Sequence, residues 1–492
     1  MDRFTGFSLF REFLKKYFWG EEMSGLPWLS AIEIARLVGR KEISPVEVVK
    51  TFISRIEEVN PKLGAIVTLA ADEAIAAAQE EESSLHRGEI SGPLNGVPLL
   101  IKDNVFTRGL RTTFGSLLYE NYVPAEDAVL VERLKAAGAI VFGKTNLPEF
   151  GLVPVTDNLV FGPTVNPWNL SKTCGGSSGG SAAALAAGLG PIATGNDAGG
   201  SIRLPASLCG VYGLKPTFGL IPRYPRLPGL ETIFHEGPLT RTVADAALML
   251  TIMAGPDERD RHTVPLPGTD FLQSLRASVK NLRIAYSPDL GHVLVDREVA
   301  TVIGRAASVF SELGAFVEEV KLEISDLLRD LRVMTTLEII TANEERLAEW
   351  KTKAHPLNLP LFSMVEKYAA RDLVKVQFRR EELWDKMHRL FAKYDLLLTP
   401  TSPVPAFDAG EGRIAGPDQI NGRLVRRLSW LGFTLPFNFT GQPAASVPCG
   451  FTKEGLPVGL QIIGRRFADQ TVLNASAAFE EARPWRDYKP SL

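Results

Sequence analysis

The chain has 492 residues, 45% of them hydrophobic and 23% charged, with a formal net charge of −3. That balance excludes a disordered tail, a collagen-like fibre and a disulfide-dense miniature, and 54 Lys and Arg against 57 Asp and Glu leave no basic surplus for nucleic acid. Taken at ~150 residues per domain, the length alone suggests about three domains. Cys174, Cys209 and Cys449 form no CxxC pair, and the six histidines are scattered without an HExxH. Free thiols in a reducing, cytoplasmic compartment are expected, with no metal and no cofactor. No run of ~18 apolar residues predicts a membrane-spanning helix. Arg11, Glu12, Lys15 and Lys16 interrupt any secretory apolar core.

Residues 1–28 stand apart as an N-terminal aromatic-rich extension. Phe4, Phe7, Phe10, Phe13 and Tyr17 recur at roughly helical spacing beside Arg3, Arg11, Lys15 and Lys16. A helix docked on the body or on a second subunit is expected. An in-plane membrane anchor is the alternative, weakened by Asp2, Glu12, Glu21 and Glu22. Ser30 with Glu33 predicts a capping box opening a helix. A second helix follows near Ser44-Pro45 and runs through Val49, Phe52 and Ile56. Pro98–Ile101 reads as a buried strand, Ala128–Ala137 as a helix with acidic Glu126 and Asp127 at its start, and Ala139–Phe142 as a strand. The stretch from Ile324 to about Tyr394 reads as helical, broken at Pro356 and Pro360, before strands at Leu396–Leu398 and Val458–Ile463. This alternation predicts an α/β fold with helices on both faces of a sheet. The polar loop at 255–270 is the best boundary candidate in the second half, but without a linker or repeat, one large domain over residues 29–492 is expected.

Twelve of the 43 glycines crowd residues 173–219, with serines among them and only Asp197, Arg203 and Lys215 charged. Glycine weakens regular structure by roughly 0.5–1 kcal/mol per site relative to alanine, so such density marks backbone that must approach something closely. Two short patterns fall nearby. Gly138–Thr145 satisfies GxxxxGK[ST], but its four middle residues are strand-like and Asn146-Leu147-Pro148 stands where a helix should begin, so a phosphate loop is rejected. Gly175–Gly179 satisfies GxSxG, which would make Ser177 the nucleophile of an α/β-hydrolase-type esterase. His235 or a later histidine could complete that triad, yet Asn166–Lys172 reads as loop where the elbow needs an apolar strand.

Longer and ordered motifs follow. Gly175-Gly176-Ser177-Ser178-Gly179-Gly180-Ser181, Gly195-Asn196-Asp197-Ala198-Gly199-Gly200-Ser201-Ile202-Arg203 and Gly213-Leu214-Lys215-Pro216-Thr217 closely resemble the amidase signature family. Gly96–Asn104 is similar to its catalytic-lysine motif, and Gly143–Asn146, Gly237–Asp245 and Gly441–Ala444 are further landmarks, so the resemblance spans about residues 29–480. It implies one α/β domain around a mixed, twisted sheet and hydrolysis of carboxylic amides by a Ser-Ser-Lys triad. Ser201 would be the nucleophile, Ser177 a bridging serine after a cis peptide at Gly176, and Lys102 the terminal base. The amides of Ala198, Gly199, Gly200 and Ser201 would form the oxyanion hole. Ser178 would support by hydrogen bonding, Asp197 and Arg203 would pair to steady the glycine turn, and Asn196 and Gly176 are candidates to touch substrate.

Elementary chemistry agrees with those roles. A serine hydroxyl needs an adjacent base, and no histidine lies in these motifs. A lysine serves only when neutral, which burial promotes, and Lys102 follows the apolar run Val97 to Ile101.

The chain departs from the commonest family pattern where Asn196 and Ala198 replace threonines, and where Phe218-Gly219-Leu220 and a proline-rich segment follow Thr217. A free-standing amidase for a small-molecule amide is therefore expected, with apolar or aromatic amides preferred and esters or carbamates as side substrates. A glutaminase acting in a complex, as part of an amidotransferase, and a non-catalytic binding protein are the alternatives. A homodimer stays open. The loop 220–236 and the helical region 324–394 are expected to shape the acyl pocket, with Trp350, Phe362, Tyr368, Phe378 and Trp384 as lining or core.

Overall fold

Ser30 and Ser44 each open a helix through a complete capping box. The Ser30 hydroxyl accepts from the Glu33 amide at 3.1 Å while the Glu33 carboxylate accepts from the Ser30 amide at 2.7 Å, and Ser44 does the same with Glu47. The helices run Ala31–Gly39 and Pro45–Leu63. The computed structural model describes residues 25–265, 268–410 and 416–492. The aromatic segment Phe4–Trp19 lies outside the described residues, and with it the helix, docking and membrane readings attached to it. From Gly25 onward the chain is on the body, where Leu26 and Pro27 are buried and the Arg241 guanidinium donates to the Pro27 and Leu29 carbonyls at 3.1 and 2.7 Å.

The strands are β1 (Ile66–Leu69), β2 (Pro98–Lys102), β3 (Ile140–Thr145), β4 (Val165–Asn166), β5 (Asn169–Thr173), β6 (Ile192–Asp197), β7 (Tyr212–Lys215) and β8 (His235–Thr240). They continue as β9 (Arg283–Tyr286), β10 (Phe316–Glu319), β11 (Leu396–Pro400), β12 (Gln419–Ile420), β13 (Arg423–Leu424), β14 (Ala444–Phe451) and β15 (Pro457–Gly464). Among the described residues, eleven of them form one mixed sheet in the order β1-β3-β2-β6-β8-β7-β14-β15-β11-β9-β10. β2 runs parallel to β3 and β6, and β9 parallel to β10 and β11, while β6-β8-β7-β14-β15-β11 pair antiparallel. The loop at 255–270 leads into β9, which joins this same sheet, so it divides no core. One large α/β domain with a helix-flanked mixed sheet results, as the alternation of elements predicts.

The central strands read as apolar runs because they are covered on both faces; all five residues of β2 and all eight of β15 are buried. A second apolar cluster gathers the helices between Leu328 and Phe391 around Trp350 and Met387. One local reading is corrected. Residues 165–173 form the short antiparallel pair β4–β5 rather than a loop. Its exposed, polar positions keep it outside the main sheet.

Candidate active site

β2 and β6 are parallel neighbours with Leu99 opposite Ile192 and Leu100 opposite Ala193. Both therefore end at the same edge of the sheet, where ligand crevices form in α/β folds. That register puts Lys102 beside Asn196. The Lys102 side chain is fully buried, and its Nζ lies 2.7 Å from Asn196 Oδ1, 2.8 Å from Ser177 Oγ and 2.9 Å from Ser178 Oγ. Burial drives the amine down from 10.5 to about 7, against the pull of the Glu236 and Asp197 carboxylates.

The neighbours of that amine are not equivalent. The Asn196 carboxamide oxygen can only accept. The Ser178 hydroxyl donates to the Asn196 carbonyl at 3.3 Å, so it too receives a hydrogen from Nζ. A neutral amine has two hydrogens, and these two acceptors take both. In that neutral form the remaining lone pair would be open to the Ser177 hydroxyl, 2.8 Å away. The Gly176–Ser177 peptide bond is cis. Ser178 in turn donates its amide to the Ser201 carbonyl at 3.1 Å, which ties the 177–178 corner to the turn at Ser201. Gly176 is buried, and a Cβ there would lie 2.8 Å from the Val155 amide. It packs against the protein's own backbone.

The opposite face of β6 carries the scaffold. Asp197 and Arg203 form a buried ion pair at 2.9 Å. Arg203 places all five of its N–H donors: two on the Asp197 carboxylate, two on the Thr434 carbonyl and Gln461, and one on Asn438. Arg203 holds the Asp197 carboxyl far below the usual carboxylate range against the opposing cost of its burial. The same carboxylate accepts from the Gly200 and Ile202 amides at 2.7 and 3.1 Å. Gly200 has φ +128°, and a Cβ there would collide with Thr434 Oγ1.

The Gly200 amide is already held by Asp197 and is not free. The amides of Ala198, Gly199 and Ser201 have no protein acceptor among the described residues.

Apolar side chains surround this turn. Ala198, Phe150, Phe234 and Leu331 pack in one cluster, and a Cβ on Gly199 would touch Leu331 and Leu435 at 3.7 Å. Phe150 meets Trp350 edge-on at 5.1 Å, and Trp350 meets Phe362 at 4.9 Å. Trp350 and Phe362 are thus core that backs Phe150, Tyr368 is half-buried, and Phe378 and Trp384 are exposed on the long helix Ala370–Phe391. The loop 220–236 and the helical region do meet near the site, where the Leu230 amide donates to Glu338 at 2.7 Å.

The rejected patterns stay rejected on structural grounds. Lys144 is buried in β3 and donates to the Val105 carbonyl at 2.6 Å and to Thr107 at 3.0 Å. His235 Nδ1 faces the Ile233 and Asp197 carbonyls at 2.9 and 3.2 Å, with no contact to Ser177. Sequence reasoning assigns no role to Asn104, Glu236, Thr434, Asn438 or Gln461. A signal exists for three of them: a buried arginine needs acceptors for five donors, and one aspartate supplies only part of them.

A buried lysine within hydrogen-bond reach of two serines thus lies beside a glycine-rich turn at one edge of a mixed α/β sheet. The Amidase family profile matches residues 47–473. The chain is 40% identical over 471 residues to an acylamidase of Rhodococcus erythropolis, covering 95% of this chain and 98% of that one. It is 38% identical over 494 residues to the A subunit of glutamyl-tRNA(Gln) amidotransferase from Moorella thermoacetica, covering 95% and 99%. The crystal structure of a bacterial aryl acylamidase of the amidase signature family superposes with a TM-score of 0.88 at 36% identity, covering 93% and 97%. The chain belongs to the amidase signature family, and it is an amidohydrolase acting on carbon–nitrogen bonds other than peptide bonds.

Proposed function

We propose that the protein is a free-standing acylamidase that cleaves small apolar or aryl amides through an acyl-enzyme on Ser201. Ser201 Oγ attacks the amide carbonyl carbon. Its proton passes to Ser177, whose own proton passes to the neutral Lys102 amine. The carbonyl oxygen becomes an oxyanion facing the amides of Ala198, Gly199 and Ser201. Donors of this kind contribute ~2.7–4 kcal/mol each in tested enzymes. Collapse breaks the C–N bond, and the leaving nitrogen takes back a proton from Lys102 by way of Ser177. Water then attacks the acyl-enzyme over the same relay and releases the carboxylate.

The single observation that carries this reading is the buried Lys102 amine, within 2.9 Å of the Ser177 and Ser178 hydroxyls and of the Asn196 carboxamide oxygen. The apolar walls around Ala198 support an apolar acyl group. Three unpaired thiols support a reducing, cytoplasmic setting.

The likeness to the glutamyl-tRNA(Gln) amidotransferase relative favours one second reading, a glutaminase that works in a complex. Purified chain alone separates the two. Wild type is expected to hydrolyse 4-nitroacetanilide without a partner, and Ser201→Ala to lose turnover by on the order of 10⁴-fold or more. Activity on glutamine only after a partner is added would favour the second reading. Undiminished turnover by Ser201→Ala would remove the first.

A further inference from the structure

Asn196 stands where the commonest family pattern has threonine, and directly across the sheet from it stands Glu236. β6 and β8 are antiparallel with Asn196 opposite Glu236, so their side chains share a face. It is the face that carries Lys102, since Asn196 Oδ1 accepts from Nζ at 2.7 Å. The Asn196 carboxamide N–H₂ donates to Asn104 Oδ1 at 2.8 Å, and the Glu236 side chain lies across the sheet on the same face. The Asn104 contact fixes which end of the amide points at the lysine. Glu236 is itself buried, with Oε1 3.6 Å from Arg223 Nε. The Arg223 guanidinium lies over the Phe234 ring at 3.5 Å. Glu236 Oε2 and Arg223 Nε and Nη1 have no hydrogen-bond partner among the described residues. They border a cavity of about 60 Å³ that Asn104, Asn196 and Phe150 also line.

We propose that Glu236 is a positioning residue for Lys102: through Asn196 it keeps the amine's hydrogens turned away from Ser177, and its carboxylate governs how readily that amine holds a third proton. The inference rests on Lys102 as terminal base. Two carboxylates act on the amine, Glu236 on its own face of the sheet and Asp197 from the opposite face of β6. Asp197 is already matched by Arg203 and Lys215. Glu236 is answered by Arg223 and by Lys102 itself, and burial raises it to about 7. Lys102 and Glu236 thus change charge in the same pH range, and Glu236 is the carboxylate free to vary. Removing its negative charge makes the ammonium form of Lys102 harder to hold, so the amine becomes a base at lower pH.

The test is the pH dependence of kcat/KM on 4-nitroacetanilide between pH 5 and 10 for wild type, Glu236→Gln, Glu236→Asp, Asn196→Leu and Lys102→Met. Glu236→Gln is expected to move the rise in activity to lower pH by ~0.5–1 unit, and Glu236→Asp to bring it back toward wild type. Asn196→Leu, close in size but unable to accept, is expected to lower kcat at the alkaline plateau about 10-fold with KM little changed. A Glu236→Gln enzyme with an unmoved or alkaline-shifted rise would overturn the proposal. Should that variant not fold, a wild-type plateau in Asn196→Leu would do the same. If Lys102→Met kept wild-type kcat/KM, the base assignment would fail instead, which separates the two claims.

Discussion

Lys102 and Lys144 sit on adjacent strands, one register step apart, with Ile101 opposite Lys144 and Lys102 opposite Thr145. Both are fully buried, and burial pushes both amines down. Their surroundings differ in one respect. Lys144 spends its donors on the Val105 carbonyl and Thr107, with the Asp103 carboxylate favouring its charged form. Lys102 faces two hydroxyls and a carboxamide. Desolvation is common to both amines; the Ser177 hydroxyl 2.8 Å away is particular to Lys102. Arg203 completes the series as a buried cation with every donor filled, which makes it scaffold only.

The contrast can be broken by substitution. Lys102→Met is expected to keep its fold and lose kcat by ~10³-fold or more at neutral pH, since general-base assistance is worth about 10²–10⁴-fold. Lys144→Met is expected to do the reverse. It leaves buried acceptors unpaired at a cost of about 1–3 kcal/mol, read as a lower Tm, while the folded fraction turns over at nearly the wild-type rate. Equal loss of kcat in both variants would erase the distinction.

Arg203→Met strands the Asp197 carboxylate in the core. A loss of about 3–5 kcal/mol in unfolding free energy is expected, followed by denaturant titration, with activity falling as the Gly200 turn loosens. Phe150→Ala tests the apolar wall. Losing the edge-on contact with Trp350 and the pocket surface is expected to cost about 0.5–1.5 kcal/mol, seen as a several-fold rise in KM for an aryl amide with kcat little changed. An unchanged KM would move the acyl pocket elsewhere.

What is readable in the chain follows from how local each signal is. Ser30 with Glu33 and Ser44 with Pro45 announce helix starts within four residues, and the apolar run before Lys102 announces its burial. The β4–β5 pair escapes because Asn169–Ser171 is exposed and the segment is mostly polar, with no apolar alternation to mark a strand. The site divides the same way. Lys102, Ser177 and Ser201 lie in long motifs, whereas Thr434, Asn438 and Gln461 meet Arg203 across more than 230 residues of chain. The pairing of Asn196 with Glu236 depends on the register of two strands far apart in the chain, which no local pattern encodes. The Gly200 amide follows the same rule: the motif names the residue, but only the folded turn decides that its N–H points to Asp197.

The central claim is that an uncharged Lys102 amine activates Ser201 through Ser177. Its most direct test is the rate at which a fluorophosphonate labels Ser201, measured by intact and peptide mass across pH 5–10 in wild type and Lys102→Met. A base must be deprotonated to act, so the wild-type rate is expected to climb with pH about a midpoint near 7, and the variant to label slowly at every pH. An adduct on another residue, or equal labelling of Ser201 in both proteins, would contradict the account.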